Sequence, residues 1–513
     1  MSGLILYNAN VMTMGPCPAV ARSIAAEGAR ISAVGNDQAI RKTKNKATET
    51  IDCKGRTVIP AFIDAHCHLA AYAEHLVALD LSPKAEITSI RDIQDKIRSL
   101  TQSLSPDQWI RGKRYDEFSL SEKRHPHRLD LDQAAPTHPV KLTHRSGYAH
   151  VLNSVGLAHL GITGETADPE DGIIDRDLET GEPTGILYGM GAYLAEKIPP
   201  LDDDQLKQGA KLANQELLGY GITSVQDASS HNDLNRWSTF QRWRDKDILK
   251  PAITMMLGLK GFEEYKREAY PPGPRESGLR MGGVKIIIHE VTGSLKPARK
   301  TLNEMVLEIH RAGLQAVLHA VDERAIEAAC DAVEYALTCD PRPDHRHRIE
   351  HCSVCPPALA KRIASLGITV VTQPSFIYYS GERYLETVSP EELIHLYPIG
   401  TLIESGVRVA AGSDFPVAEP NPLVGVYGAV ARVSQKDRPV LPEQGIGHVE
   451  ALGMYTYEAA RASFEEEERG SIEVGKRADL VILSDDLSRV PDHALKSVRV
   501  DMTIMGGEIV WRR

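Results

Sequence analysis

Two histidines one residue apart, His66 and His68, close the apolar run Val58-Ile59-Pro60-Ala61-Phe62-Ile63-Asp64-Ala65. A run of that composition reads as a buried β-strand. Side chains alternate faces along a strand, so both imidazoles point one way while Cys67 between them points the other. Two imidazoles on one side of a strand end make half of a metal site, and imidazole suits zinc and its neighbours. By itself His-x-His is equally at home as a polar strand end. Four later runs end in a comparable way. Residues 283–289 carry Lys285 inside an otherwise apolar stretch, and the others end Val317-Leu318-His319, Arg348-Ile349-Glu350-His351 and Ala411-Gly412-Ser413-Asp414. Each has a plainer alternative. Lys285 can snorkel to a rim, His319 can cap a helix, Glu350 can pair with an arginine, and Asp414 can be a turn residue before Pro416. Taken together they specify one site.

Such residues meet only if the strands that end on them are neighbours. Apolar runs at 58–63, 140–143, 223–226, 284–288, 315–318, 347–349, 369–372 and 407–411 alternate with helix-length segments, including 301–311, 323–335, 357–366 and 390–396. That is the pattern of parallel βα units. Eight of them predict an α/β fold of the (β/α)8 TIM-like barrel type, in which chemistry sits at the C-terminal strand ends. The segments 72–138 and 144–220 exceed one helix each and are expected to insert over the barrel mouth. Residues 271–274, Pro-Pro-Gly-Pro, read as a loop. The first 57 residues are short alternating runs broken by Asn, Gly and Pro. The last 35 or so have the same character, with a Gly506-Gly507 hairpin turn. Each end is too small to fold alone. The expected organisation is a composite β-sandwich of 1–57 plus 470–513, around a barrel of 58–469.

Composition narrows the function. The chain has 513 residues and a formal charge of −11, which argues against nucleic acid or an acidic membrane as partner. No run approaches the roughly 20 apolar residues of a membrane span. The first residues lack a basic segment followed by a long apolar one, so secretion is not expected. Seven cysteines, at 17, 53, 67, 330, 339, 352 and 355, are few and odd in number, as suits a reduced cytoplasm. Cys352-x-x-Cys355 has the spacing of a redox pair but no partner pair for a zinc ribbon.

The motifs together resemble the amidohydrolase superfamily, most closely its amidohydrolase-3 branch of N-substituted formamide deformylase-like proteins. They run from Asn8-Ala9-Asn10-Val11-Met12-Thr13-Met14 through Pro60–His68 to Gly221-Ile222-Thr223-Ser224-Val225-Gln226-Asp227. They continue at 319–325 and 348–351 and at Gly412-Ser413-Asp414-Phe415-Pro416-Val417, and end at 470–480. The resemblance implies two divalent ions, zinc by expectation. One would be held by His66, His68 and Asp414 and the other by His319 and His351, with Asp414 as catalytic base. Lys285 stands where many relatives carry a CO2-derived carbamate bridging the ions. A carbamate gives both dications anionic oxygens, whereas an ammonium would be repelled.

Such a pair of ions activates water and polarises a carbonyl, which implies hydrolysis of an amide-type C–N bond in a small-molecule substrate. The alternative is a mononuclear aminohydrolase deaminating a heterocycle, a type that usually lacks the bridging lysine. Substrate contacts are expected from Tyr148 or His150, in a segment where relatives place a histidine at the Tyr148 position. His289 stands where relatives often have aspartate. Tyr378 and Tyr379 lie in the aromatic-rich stretch 374–384, read as a strand-end loop. Gly189 stands where relatives often have an acidic residue. Arg383 or Arg432 could read a substrate carboxylate. Relatives of this kind are often dimers, which makes a homodimer a candidate assembly.

Overall fold

The apolar runs that end on polar residues become neighbours in one eight-stranded parallel sheet of the computed structural model. The structure describes residues 3–15, 20–41, 48–102, 104–169, 172–268, 278–291 and 294–513. Cys17 and the 271–274 stretch lie outside them. The strands of that sheet are Phe62–Cys67 (β1), Ile222–Asp227 (β2), Ala252–Leu257 (β3), Leu279–Ile287 (β4), Ala316–Ala320 (β5), Arg348–His351 (β6), Thr369–Thr372 (β7) and Arg408–Ala411 (β8). They are hydrogen-bonded in sequence order from β1 to β8.

The cylinder closes just beyond the strand ends. Asp414 N–H donates to His66 O at 2.8 Å and His68 N–H donates to Phe415 O at 2.9 Å. Gly412 makes this approach possible, since a Cβ there would stand 2.4 Å from the His66 backbone nitrogen. The protein is a (β/α)8 barrel, with helices such as Arg299–Arg311, Glu323–Cys339 and Pro357–Ser365 between its strands.

Two expected strands need correction. The run at 140–143 is not a barrel strand. It is Val140–His144, in the second of the two units into which the chain divides: Met1–Leu69 with Asn214–Arg513, and Ala70–Ala213. Within the second unit it belongs to a six-stranded sheet with Ile110–Tyr115 on one side and Ala149–Leu152 on the other. The physical distinction is burial. Val140–His144 alternates between buried and half-buried positions, as a strand covered on one face does, whereas β1, β2 and β3 are buried at every position. The barrel strand that sequence reading missed is β3. It ends on Leu257 without a polar residue, and an unmarked apolar run cannot be told from a buried helix by periodicity.

The second correction splits the run 58–63. Thr57–Pro60 pairs antiparallel with Leu480–Leu483 in a terminal six-stranded sheet, through Val58↔Ile482 and Pro60↔Leu480, and β1 begins only at Phe62. That sheet runs Glu508–Arg512, Val500–Met505, Leu480–Leu483, Thr57–Pro60, Asn10–Met12, Val20–Ala21. A four-stranded sheet of Gly3–Tyr7, Ser23–Glu27, Arg30–Gly35 and Thr48–Asp52 accompanies it. Leu4, Leu6 and Ile24 share one core with Val58, Ile482 and Ile504, so segments from both chain ends bury each other's apolar faces. No helix among the described residues is long and apolar enough to cross a membrane.

Candidate active site

Three imidazoles at the barrel rim, those of His66, His68 and His351, are held by Nδ1, which leaves Nε2 for the centre. His66 is fully buried, and its Nδ1 is hydrogen-bonded to Glu350 of β6. His68 Nδ1 lies 3.0 Å from Ser229 Oγ, and His351 Nδ1 lies 2.8 Å from Gln373 Oε1. Holding Nδ1 fixes the ring orientation and, in the Nδ1–H tautomer, puts the lone pair on Nε2. Burial, with the Lys285 charge behind it, pushes His66 down to about 3 and keeps it neutral. The same causes lower His351, and His319 sits well below its ordinary range through burial and His351.

Asp414 follows β8 with a left-handed φ of 59°. Its Oδ1 stands 3.0 Å from His68 Nε2 and 3.5 Å from His66 Nε2. Burial alone would raise this carboxyl, but the His68 contact and the surrounding imidazoles outweigh it and hold the group well below the usual carboxylate range. Asp64 anchors the turn from below, accepting from Ser413 N–H at 3.1 Å, Ser413 Oγ at 2.6 Å and His66 N–H at 3.1 Å.

His351 ends β6, where simple alternation would send it away from Arg348 and Glu350. It adopts φ 73° and Cys352 φ 51°, so the backbone leaves the strand conformation there. Its ring then lies 4.8 Å from that of His66 and 4.4 Å from that of His319. His66, His351 and Asp414 each offer a ligand atom within 4.8 Å of the others. Lys285 is buried on β4, in the field of Glu350, Asp414, Arg348 and Asp227. Its Nζ has no hydrogen-bond partner among the described residues, and burial pushes it down to about 8.

The remaining candidates are placed as follows by the elements that carry them. Tyr378 and Tyr379 are not on a loop. They lie on the helix Ser375–Thr387, with Tyr379 Oη donating to Glu419 at 3.0 Å and the Tyr378 ring 5.7 Å from that of Tyr427. His289 opens a small hairpin, His289–Val291 with Ser294–Lys296, and its buried Nδ1 has no hydrogen-bond partner among the described residues. Tyr148 and His150 belong to the unit Ala70–Ala213, where Tyr148 is 58% exposed and His150 is buried. Arg432 cannot read a substrate: its guanidinium is buried and donates to the carbonyls of Val440, Leu441, Tyr397 and Leu396. Burial raises the Cys67 thiol well above its ordinary range, which makes it a poor nucleophile.

Sequence reading left Glu350 with only the prospect of an arginine partner and did not single out Gln373, Ser229 or Asp64. Glu350 has its arginine, Arg348, at 2.5 Å, and holds His66 as well. The available signal was Arg348-x-Glu350, two opposite charges on one face of a short strand.

A divalent ion fits this donor set. His66 Nε2 and Asp414 Oδ1 are buried without aligned hydrogen bonds and lie within 3.5 Å of each other, and Lys285 Nζ is buried without any. Polar atoms in that condition are costly unless something else engages them. The fold and these side chains define a barrel hydrolase, and the chain belongs to the amidohydrolase family, whose pattern matches residues 49–511. It is 29% identical to the N-substituted formamide deformylase of Arthrobacter pascens, with 100% of this chain and 99% of that one covered. Two solved structures share its fold. The uncharacterized metal-dependent hydrolase from Pyrococcus furiosus has a TM-score of 0.73 at 24% identity, covering 94% of this chain and 98% of that one. Its counterpart from Pyrococcus horikoshii OT3 has 0.77 at 22%, covering 96% and 99%.

Proposed function

We propose that the protein hydrolyses an amide-type C–N bond in an N-substituted amide or N-acyl compound, with Asp414 as base and then acid. The observation that carries this reading is the set of buried, unengaged donors at the rim, His66 Nε2, Lys285 Nζ and Asp414 Oδ1, beside imidazoles held through Nδ1. His66, His68 and Asp414 would hold one divalent ion, His319 and His351 a second, and zinc suits a set rich in imidazole. Such ions supply a Lewis acid for the carbonyl and lower the pKa of water to roughly 7.

The chain's own residues do the rest. Asp414, kept ionised by the imidazoles around it, takes the proton of the attacking water and returns it to the leaving nitrogen. One water is consumed, and a carboxylic acid and an amine are released. Lys285, uncharged for part of the time near pH 8, is suited to take up CO2 as a carbamate and present two oxygens to the centre. A mononuclear deaminase would have no use for a buried amine in that place. The deformylase relative directs the substrate search to N-substituted formamides. A reducing cytoplasm suits the six free cysteines of the described residues.

The test measures metal content and amine release from a panel of N-substituted formamides and N-acyl amino acids. Two ions per chain with amine release lost in Asp414→Asn is the expected result. An Asp414→Asn protein that keeps its metal and full activity would remove the proposed base, and ammonia release from a heterocycle by a one-metal protein would replace the reading with the deaminase.

A further inference from the structure

One face of the sheet in the unit Ala70–Ala213 is apolar; the other is basic where Ile110–Tyr115 meets Val140–His144 and turns apolar at Leu152 and Leu187, which stand opposite Lys141 and His150. Ile110, Val140, Leu142 and Val151 point into its core. The intervening positions carry Arg111 and Lys113 on one strand, Lys141 and Thr143 on the next and His150 on the third. The register puts Arg111 beside Lys141, Lys113 beside Thr143, and Thr143 opposite His150. Side chains at neighbouring register positions stand about 5 Å apart, so three cations and an imidazole share one patch of that face.

Their partners do not balance. Arg111 donates to Pro199 O, and Lys113 reaches Glu74 Oε2 at 3.4 Å and Ala71 O at 3.5 Å. Lys141 makes no ion pair or side-chain hydrogen bond among the described residues. His150 is 4% exposed, with Nδ1 3.4 Å from Thr143 Oγ1 and Nε2 buried without a hydrogen-bond partner among the described residues. Burial, reinforced by Lys113, pushes Lys141 down to about 8. Grouped cations cost stability unless an anion meets them, and among the described residues Glu74 is the single carboxylate that pairs with this group.

We propose that this face binds a small oxyanion, a carboxylate or a phosphate, between Lys141 Nζ and His150 Nε2, with Arg111 and Lys113 supplying the surrounding positive field. Thr143 orients His150. The proposal does not rest on the reaction assigned to the barrel rim.

The experiment follows thermal unfolding of the full chain at pH 7 in sodium acetate, sodium phosphate and sodium chloride at matched ionic strength. The wild type is expected to gain about 3 °C over chloride with at least one oxyanion, at a concentration about a hundredfold above its dissociation constant. Which of the two acts identifies the source, carboxylate or phosphate. Lys141→Met is expected to lose the response while unfolding no earlier than wild type in chloride, since it removes a cation from a repulsive group. Lys141→Arg is expected to retain the response, and His150→Phe to weaken it several-fold, which covers failure of the Met variant to fold. Lys211→Met, an exposed change on the same unit, keeps it. A wild type that shows no gain over chloride overturns the proposal. So does a gain that survives intact in both Lys141→Met and His150→Phe, because the anion would then bind elsewhere, the barrel rim included.

Discussion

Replacing Glu350 by Gln tests how the site is built. The carboxylate is fully buried and shared: Arg348 donates from Nε to Oε1 at 2.5 Å and from Nη2 to Oε2 at 3.0 Å, and His66 Nδ1 meets the same Oε2. Arg348 also donates from Nη1 to Gln226 Oε1 and from Nη2 to Ala65 O, each at 2.6 Å. Gln is nearly isosteric, so packing survives, but the buried guanidinium loses its countercharge. Breaking a buried pair from one side costs about 3–5 kcal/mol. The ring of His66 loses its charged orienter, and loss of such a partner lowers metal affinity about 10–100-fold, about 1.4–2.7 kcal/mol.

Urea unfolding of the metal-free protein should therefore show a loss of about 3–5 kcal/mol in Glu350→Gln. Chelator competition should show the weakened affinity separately. In the double variant Arg348→Met/Glu350→Gln the stability should largely return, since no uncompensated charge remains, while metal affinity stays low. A single variant that loses under about 1 kcal/mol and binds metal as tightly as wild type would refute the claim that Glu350 links the Arg348 charge to His66.

Lys285→Met is expected to stabilise the metal-free protein by about 1–3 kcal/mol while abolishing amine release, measured by urea unfolding and activity. Unchanged or lower stability would mean that the amine is well solvated. Asp414→Asn should lower kcat by about 10^2–10^4-fold with metal content unchanged, read by elemental analysis beside the assay. Gly412→Ala puts a Cβ 2.4 Å from the His66 nitrogen and 2.7 Å from its Cβ; it should cost about 1–3 kcal/mol or more and lower metal affinity, because it separates β8 from β1. Stability should also fall in acid through His345 and His347, which burial holds below their ordinary pKa in a chain with His310. The unfolded chain then binds protons that the folded one refuses, so stability is flat above about pH 6.5 and drops by up to about 1.4 kcal/mol per pH unit per histidine below it. His347→Gln should flatten that slope, and an unchanged slope would mean the chain accepts a proton while folded.

Strand periodicity and residue type carry what can be read along the chain without its fold. His66 and His68 share a side because they are two apart, Lys285 is conspicuous because its neighbours are apolar, and the polar ends at 319, 350–351 and 414 mark where strands stop. Family membership followed from the same motifs. These are local features, and each survives without knowledge of any partner strand.

Which strands close the cylinder, and what stands behind each rim side chain, depends on contacts between segments far apart in the chain. Glu350 reaches His66 from 284 residues away, and Asp414 meets it only because β8 comes against β1 over a residue without a side chain. The replacement of 140–143 by Ala252–Leu257 as a barrel strand was illegible for the same reason: whether an apolar run is covered on one face or two depends on its neighbours in space. The left-handed φ at His351 and Asp414 is likewise imposed by the rim, since nothing in either residue type favours it strongly enough to be read in advance. Periodicity is written into neighbouring residues, whereas closure is a property of the whole sheet.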